Sequence, residues 1–450
     1  MDSSLTRALR PPEPALLRRG STFLVGDARS PLLRRLSLRP TPHPPACATR
    51  LVVSASKKKP PIEGVSDELN AIASLNLDHA PARRRVRDAF KQVQLQLDHC
   101  LFKFLLSKVV PVADLICLIS ISGFVLFGGQ LAPAGIRTQE WYDWSSKGLE
   151  IFCRSWLPEP NVQIKGAMCF CHGYGDTCTF FFEGIARHIA ASGYAVYAID
   201  HPGFGLSEGL HGYIPNFDDL VDNVIEQYRN IKERPEVRGL PHFILGQSMG
   251  GAIAIKVQLK DPNGWDGVIL VAPMCKITED VKPPEPVVKV LTLMSKAFPK
   301  AKLFPALDLA ELAFRDQRKR KLAVYNVICY EDRTRLKTAA ELLRATDEIE
   351  LQVEKVSSPL LILHGAADKV TDPSISHFLY EKASSKDKTI KLYEEGYHCI
   401  LEGEPDERIF AVLNDIVSWM DSRSGLKANN PRSMETELIQ AVNLQSPRRD

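Results

Sequence analysis

Three features are missing from this 450-residue sequence: a run of twenty consecutive apolar residues, a Cys-x-x-Cys pair, and a collagen-like or linker-like bias toward glycine and proline. The first absence argues against an ordinary membrane-spanning helix, and the second against a zinc finger or a thioredoxin-like redox site. The composition, 44% hydrophobic and 25% charged, is globular. Although Cys169, Cys171, His172 and Cys178 are close in sequence, Cys-x-Cys in a strand points two small apolar side chains to one face. We expect neither a metal nor another cofactor.

Acidic residues are scarce in residues 1–60, which hold 12 Lys and Arg against 3 Asp and Glu. This segment is rich in Arg, Ser, Pro and Leu and lacks the single apolar stretch of a secretory signal, which indicates an organelle transit peptide. We predict a disordered transit peptide and a chloroplast protein, with a cytoplasmic or membrane-associated protein as the alternative. The rest of the chain has 45 basic and 51 acidic residues, and we exclude nucleic acid as a partner because no basic face is evident.

Residues 61–108 contain apolar side chains at roughly helical spacing, which predicts a helical N-terminal extension. The next segment, 109–130, is strongly apolar, but Asp114 interrupts it and leaves Leu115–Phe127 as thirteen residues without a charge. Three interpretations stay open: a short membrane span, an anchor at the membrane interface, or an insertion outside the catalytic core. Residues 424–450 are polar, and we predict a disordered tail.

From residue 135 onward, short apolar runs alternate with amphipathic stretches, which indicates strands alternating with helices. Apolar runs bounded by Gly, Pro and Asp are typical of strands buried on both faces, and helical connections imply a mostly parallel sheet. We therefore predict an α/β fold, with core segments 135–275 and 357–423 separated by 276–356, where the strand pattern is absent. The predicted strands are Ala167–Cys171, Tyr194–Ile199, His242–Leu245, Gly267–Ala272, Leu360–Leu363 and Thr389–Tyr393.

The G-x-S-x-G motif, which can present a nucleophilic serine, occurs around Ser207 and again around Ser248. In its catalytic form the motif is a sharp turn between a strand and a helix, and its glycines keep Cβ atoms out of the crowded turn. Ser248 follows the predicted strand His242–Leu245 and precedes an apolar stretch of helical character. Ser207 follows a loop with no strand entering it directly. We therefore predict Ser248 as the nucleophile and Ser207 as a turn residue on the rim of the pocket.

A serine hydroxyl is a weak nucleophile at neutral pH and needs a histidine base that a third group orients. For a serine in this type of turn, the acid and then the histidine come later in the chain. Asp368 and His398 fit that order, since each follows one of the last two predicted strands. Asp372 is an alternative acid, although its place before a proline favours a helix start. We expect His364 to pack at the end of its strand.

The tetrahedral intermediate of acyl transfer needs backbone N–H donors for its oxyanion. We predict the amide of Met249, which begins the helix after Ser248, as one donor. We predict Tyr174 as the other, because it lies in a loop after the first predicted strand whose glycines allow close approach to a substrate.

Several segments resemble those of plant monoacylglycerol lipase-type α/β-hydrolases, which include the caffeoylshikimate esterases. The resemblance runs from about 135 to 423 and is carried by His172–Gly175, Asp200–Gly209, Gly246–Gly251, Val271–Met274 and Leu401–Pro405. It implies an α/β-hydrolase fold with a helical cap, 276–356, inserted after the sixth strand.

The resemblance also implies roles for individual residues. Ser248, Asp368 and His398 are implied as the catalytic triad, with Tyr174 and Met249 at the oxyanion hole. The predicted substrate-binding residues are His172, Gly173, Met274, Leu291 and Met294. The last two belong to the cap, where they line an acyl tunnel or only pack the cap onto the core.

We predict a serine hydrolase that cleaves a small carboxylic ester, with a monoacylglycerol or a lysophospholipid as the first choice of substrate. A hydroxycinnamoyl ester such as caffeoylshikimate, hydrolysed or transferred, is the alternative. A non-catalytic small-molecule receptor is the alternative of another class, because such receptors can keep the triad. An aminopeptidase would need acidic groups that hold a substrate amine, and the sequence does not identify them. Basic residues between 300 and 321 predict either contact with a membrane surface or a solvated helix face. The oligomeric state is not predicted.

Overall fold

The computed structural model describes residues 60–101, 135–278, 283–303 and 309–425 of the chain. The predicted transit peptide, the apolar segment 109–130 and almost all of the predicted C-terminal tail lie outside these described residues. Within the described ranges, no helix has both the length and the apolar composition that a membrane span requires.

One sheet of eight strands forms the centre of the described structure, in the order β1-β2-β4-β3-β5-β6-β7-β8. β2 is antiparallel to β1 and β4, and the other pairings are parallel. The predicted mostly parallel sheet flanked by helices is therefore confirmed. The strands are Arg137–Trp144 (β1), Glu150–Leu157 (β2), Gly166–Cys171 (β3), Tyr194–Ile199 (β4), His242–Gln247 (β5), Gly267–Val271 (β6), Leu360–Gly365 (β7) and Lys388–Tyr393 (β8).

The six predicted strands correspond to β3–β8, and β3–β7 are buried along their whole length. β8 differs from the prediction, because it is an edge strand with alternating exposure. The prediction omits β1 and β2. β1 is polar and largely exposed at the other edge of the sheet. In β2, Arg154 interrupts the apolar run, although this arginine is buried in a 2.6 Å ion pair with Glu183.

Helices cover both faces of the sheet. One apolar cluster includes residues of α2, α3 and α11, and the other includes residues of α4, α5, α9 and α10. The described α-helices are Asp67–Ala73 (α1), Ala80–Leu101 (α2), Phe181–Ala191 (α3), Phe217–Lys232 (α4), Met249–Lys260 (α5), Glu285–Ala297 (α6), Leu309–Ala313 (α7), Gln317–Leu322 (α8), Leu336–Gln352 (α9), Pro373–Lys382 (α10) and Asp406–Asp421 (α11).

Helices α6–α9 lie between β6, the sixth strand, and β7, where we predict the cap. α6 packs against α9. Its half-buried side includes Leu291 and Met294, while Val287, Val290 and Leu293 on another side are exposed. This apolar exposure distinguishes α6 from the sheet-covering helices.

Candidate active site

Ser248 lies in a sharp turn, 246–250, which we name the serine turn and which joins β5 to α5. Its backbone has φ 54° and ψ −119°, a conformation that residues other than glycine rarely adopt. The turn is crowded, since a Cβ atom on Gly246 would lie 2.2 Å from the Gly250 carbonyl oxygen, and one on Gly250 would lie 1.9 Å from the Cys171 carbonyl oxygen. Glycine is therefore required on both sides of the serine, and the turn presents Ser248 beyond the carboxyl end of β5.

Ser207, in the other G-x-S-x-G segment, is fully buried. Its Oγ donates to the Asp200 carbonyl oxygen over 2.6 Å and accepts the Phe152 N–H over 2.8 Å. These bonds fasten residues 203–209, which we name the rim loop, to β2 and the end of β4. The hydroxyl of Ser207 therefore serves the packing of this loop and does not line a pocket rim, contrary to our expectation.

Asp368 and His398 are hydrogen-bonded to each other, as a catalytic acid and base must be. They follow β7 and β8, which are parallel neighbours, so the loops after these strands meet at one edge of the sheet. His398 Nδ1 lies 2.7 Å from Asp368 Oδ2, which makes Nδ1 the protonated nitrogen and leaves the Nε2 lone pair available as a base. Ser248 lies at the same edge, where its N–H donates to the carbonyl oxygen of Val271 in β6 over 3.0 Å.

The buried carboxylate of Asp368 accepts several further hydrogen bonds. Oδ2 lies 3.0 Å from His364 Nε2 and 2.9 Å from Thr371 Oγ1, and Oδ1 accepts the N–H groups of Val370 and Thr371 over 2.7 and 3.1 Å. Burial alone would raise the pKa of Asp368, but the hydrogen bonds from His364 and His398 outweigh it and hold the pKa well below its usual range. The acid therefore stays ionised throughout the neutral range.

His364 and Thr371 are site residues that the sequence prediction missed. His364 is buried at the end of β7, as expected, but it also contacts the acid, and Ser376 Oγ lies 2.6 Å from its Nδ1. Thr371 Oγ1 lies 3.1 Å from His398 Nδ1 as well. The four-residue spacing between His364 and Asp368 across the strand end was the available signal.

Asp372, the alternative acid, is exposed and caps the N-terminus of α10. Its Oδ1 accepts the Ser374 N–H over 2.7 Å. The helix start expected at this position is present, and Asp368 is the carboxylate that contacts His398.

The loop after β3, residues 172–178, which we name the oxyanion loop, passes beside Ser248. A Cβ atom on Gly173 would lie 3.4 Å from Ser248 Cβ, so glycine at this position keeps the loop close to the serine without a side chain between them. His172 Nε2 accepts the His201 N–H over 3.0 Å, which leaves Nδ1 as the donor to the Gly173 carbonyl oxygen, 2.8 Å away. Because the C=O and N–H of a trans peptide point in opposite directions, a fixed Gly173 carbonyl also fixes the Tyr174 N–H.

Met249 and Met274 both adjoin Ser248. Met249 is the first residue of α5, and the first N–H groups of a helix have no acceptor within the helix. Its amide therefore has no acceptor within the helix, which is consistent with the predicted role as an oxyanion donor. The Met274 N–H donates to the Ser248 carbonyl oxygen over 3.0 Å. No contact recorded among the described residues links Leu291 or Met294 to Ser248, so their role in substrate binding stays a prediction.

A buried carboxyl group supports the serine turn. Glu402 follows His398 by four residues, and its Oε1 accepts Gln247 Nε2 over 2.7 Å. Burial first, and then the charge of Asp176, raise the pKa of Glu402 to about 7. Asp176 in the oxyanion loop accepts Asn326 Nδ2 over 3.1 Å. Glu402 thus connects the serine turn to the loop that carries His398, and Asn326 connects the oxyanion loop to the predicted cap.

Within the described ranges, no group of three or more His, Cys, Asp and Glu side chains has an arrangement that could hold a metal ion. Cys169 and Cys171 are fully buried in β3, and burial raises the pKa of Cys169 to about 12. Burial also raises the pKa of Cys171, so both thiols stay protonated at neutral pH and pack as small apolar side chains.

The sheet order, the strained serine turn and the hydrogen-bonded acid and histidine define an α/β-hydrolase. A family model described as serine aminopeptidase, S33 (Hydrolase_4) matches residues 162–406, and the chain belongs to this family.

Named relatives fall within the resemblance noted in the sequence, which is thereby confirmed. The caffeoylshikimate esterase of Arabidopsis thaliana is 33% identical over 290 residues, which cover 64% of this chain and 87% of the esterase. The monoglyceride lipase of Homo sapiens is 32% identical over 287 residues, 62% of this chain and 89% of the lipase. A solved monoacylglycerol lipase of Paleococcus ferrophilus, 26% identical, has a TM-score of 0.52 and covers 61% of this chain and 99% of its own.

Proposed function

We propose that the protein hydrolyses a carboxylic ester through an acyl-enzyme on Ser248, with His398 as the base and Asp368 as the acid that orients it. The observation that carries this proposal is the 2.7 Å hydrogen bond between His398 Nδ1 and Asp368 Oδ2, at the sheet edge that also bears Ser248. An ionised, buried Asp368 stabilises the imidazolium that forms when His398 takes the serine proton.

In the first half of the reaction, His398 Nε2 removes the proton of Ser248 Oγ as Oγ attacks the ester carbonyl carbon. The amides of Tyr174 and Met249 stabilise the resulting oxyanion. The bond to the alcohol then breaks, and His398 gives its proton to the leaving alkoxide. In the second half, a water molecule loses a proton to His398 and attacks the acyl-enzyme, which releases the acid and restores the Ser248 hydroxyl.

We propose a monoacylglycerol or a lysophospholipid as the substrate. The relatives from Homo sapiens and Paleococcus ferrophilus, which are named monoglyceride or monoacylglycerol lipases, support this choice. Caffeoylshikimate is the second candidate, because the 33% identical relative from Arabidopsis thaliana is a caffeoylshikimate esterase.

The exposed apolar side of α6 supports a further proposal, that the enzyme meets its substrate at a membrane surface. Leu293 is 70% exposed and Phe298, just after the helix, is 60% exposed, with Val287 and Val290 on the same side. Exposed lysines at 289, 296 and 300 flank these side chains. Apolar side chains bordered by lysines are typical of helices that lie on anionic bilayers.

The substrate proposal is tested by the steady-state turnover of 1-monooleoylglycerol, lysophosphatidylcholine, caffeoylshikimate and leucine p-nitroanilide by the full chain and by Ser248→Ala. We expect Ser248-dependent turnover of the first or second compound. Faster turnover of caffeoylshikimate would show that the substrate is a phenolic ester and not a lipid. Turnover of leucine p-nitroanilide alone would indicate a peptidase. Binding of these compounds without multiple turnover would indicate a receptor.

The membrane proposal is tested by sedimentation with phosphatidylcholine vesicles, with and without phosphatidylglycerol. We expect binding that depends on the anionic lipid and that decreases in Val290→Ser/Leu293→Ser. The matched control is Leu351→Ser, since Leu351 is 85% exposed on α9. Equal binding by the α6 variant and the wild type would contradict the proposal.

We also propose that residues 1–60 direct the chain to the plastid. The support is their composition, 12 Lys and Arg against 3 Asp and Glu. A fluorescent fusion of the full chain should enter chloroplasts and one that lacks residues 1–60 should not. A full-length fusion that stays in the cytosol would contradict this.

A further inference from the structure

We propose that Arg83, in the N-terminal helix α2, is a positioning residue for the oxyanion loop. α2 precedes the segment that the family model matches, which begins at residue 162. The proposal rests on the proposed function, because it concerns the loop to which we assign oxyanion stabilisation. It implies that the catalytic unit of this chain includes α2.

The first step is the contact of Arg83 with the rim loop. Arg83 is fully buried, and its guanidinium donates to main-chain carbonyl oxygens on both sides. Nε lies 2.5 Å from Gly205 O, and Nη2 lies 2.6 Å from Ser207 O and 3.3 Å from Gly209 O. Nη1 lies 2.9 Å from Leu77 O. The planar guanidinium therefore acts as a template that sets the conformation of the rim loop, since its N–H groups have fixed directions.

The second step runs from the rim loop to the end of the oxyanion loop through Asp200, which is fully buried. Asp200 Oδ2 accepts the Leu206 N–H over 2.7 Å, and a Cβ atom on Gly205 would lie only 2.0 Å from this oxygen. Asp200 Oδ1 accepts Thr177 Oγ1 and the Cys178 N–H, each over 2.7 Å. One carboxylate thus holds both loops.

The third step is an aromatic contact at the start of the oxyanion loop. Phe204 of the rim loop is fully buried, and its ring meets the Tyr174 ring edge-on with centroids 5.6 Å apart and the His172 ring with centroids 5.8 Å apart. His172 is the side chain that fixes the Gly173 carbonyl, and with it the Tyr174 N–H. A shift of the rim loop would therefore change the direction of the oxyanion donor.

Truncation of Arg83 removes a donor from three rim-loop carbonyls, of which those of Gly205 and Ser207 are buried, and leaves a cavity of the size of a guanidinium ion. Asp368 and His398 lie in the loops after β7 and β8 and contact no residue of the rim loop in the hydrogen bonds given above, so we expect their geometry not to depend on Arg83. We therefore expect Arg83→Ala to slow the acylation step more than it weakens substrate binding. Arg85 on the same helix is exposed, and Arg85→Ala is the matched control.

The experiment uses the full chain as wild type, Arg83→Ala, Arg83→Lys and Arg85→Ala. Three quantities are measured: kcat and KM for p-nitrophenyl butyrate, and the rate at which a fluorophosphonate labels Ser248. We expect Arg83→Ala to lower kcat and the labelling rate by about tenfold to a hundredfold with KM changed less than about twofold. Guanidinium ion at millimolar concentration should restore part of the loss, whereas sodium ion at equal ionic strength should not. Arg85→Ala should match the wild type.

A folded Arg83→Ala variant with wild-type kcat and labelling rate would overturn the proposal, as would a loss that guanidinium ion does not reverse. If Arg83→Ala does not fold, Arg83→Lys tests the proposal instead. The lysine ammonium group cannot donate to the three carbonyl oxygens in the directions that the planar guanidinium provides, so a wild-type kcat in Arg83→Lys would overturn the proposal. If the wild type hydrolyses no ester but is labelled at Ser248, the ester function fails, and the labelling rates still test the role of Arg83. A wild-type chain that the fluorophosphonate does not label would contradict both the proposed function and the proposed role of Arg83.

Discussion

The chain contains two G-x-S-x-G segments whose structures differ almost completely. In the serine turn, Ser248 has φ 54° and follows a buried strand, and a helix begins at the next residue. In the rim loop, Ser207 is fully buried and its hydroxyl is hydrogen-bonded to the backbone of β2 and of Asp200. The same five-residue pattern therefore forms a strained turn in one place and a packed loop in the other.

The difference shows that the motif acquires its chemistry from the elements around it. Ser248 is placed where β5 ends, at the side of the sheet where the loops after β7 and β8 bring Asp368 and His398 together. Ser207 is placed where α2 and β2 cover it. The rim loop still contacts the catalytic region indirectly. Asp200 and Phe204 connect it to the oxyanion loop, which passes beside Ser248.

The largest expected difference is between Ser248→Ala and the wild type. Removal of the nucleophile should lower kcat for an ester by about 10⁶-fold, leaving only the contribution of binding and the oxyanion donors. Steady-state assays with p-nitrophenyl butyrate at matched protein concentration measure this. The kcat of Ser207→Ala should be at least a thousand times that of Ser248→Ala. A lower kcat in Ser207→Ala than in Ser248→Ala would show that the roles of the two serines are reversed.

The next effect is expected for Asp368→Asn, which keeps the shape of the side chain but cannot hold His398 in the tautomer that accepts the serine proton. We expect kcat to fall by about 10³–10⁴-fold in a variant that still folds, although with lower stability because the buried carboxylate loses hydrogen bonds. The kcat of the purified variant, beside its circular dichroism spectrum, checks this. A kcat within tenfold of the wild type would show that another group orients His398.

A third prediction concerns the pH dependence of the support beneath the serine turn. The folded-state pKa of Glu402, about 7, lies above its ordinary value of 4.5, so the folded protein holds the proton more tightly. The associated stability is present below pH 4.5 and is lost as the pH rises through 7. Glu402→Gln should therefore be more stable than the wild type by about 3 kcal/mol at pH 8.5, with the difference vanishing near pH 4. Urea unfolding at both values measures it, and a pH-independent difference would contradict this explanation.

Ser207→Ala should act mainly on stability. It removes the acceptor of the Phe152 N–H and the donor to the Asp200 carbonyl in a fully buried position. The free energy of unfolding should fall by about 1–3 kcal/mol. Chemical denaturation of the variant tests this, and an unchanged midpoint would show that the rim loop does not need these hydrogen bonds.

The smallest effect is expected for Asp372→Asn. Asn caps a helix about as well as Asp. The kcat of the variant should therefore stay within about twofold of the wild-type value, and its free energy of unfolding within about 0.5 kcal/mol. The same assays apply. A loss comparable with that of Asp368→Asn would reassign the acid.

The sequence was sufficient for the parallel strands, because β3–β7 are continuous apolar runs buried on both faces. It was insufficient for β1, which is polar, and for β2, whose apolar run Arg154 interrupts; it located β8 but not the alternating exposure of that strand. The order Ser248, Asp368, His398 could be derived from the loops that follow the strands. Thr371 and the buried Arg83 could not, because their contacts depend on side-chain directions and on the packing of α2, which spacing does not specify. For His364, the four-residue spacing from Asp368 was an available signal.

The most direct test of the central claim is the site at which a fluorophosphonate attaches to the wild-type chain, located by mass spectrometry of its peptides. We predict one adduct per chain, on the peptide that contains Ser248, and none on the peptide that contains Ser207. An adduct on Ser207, or a folded chain that forms no adduct, would contradict the assignment of Ser248 as the nucleophile.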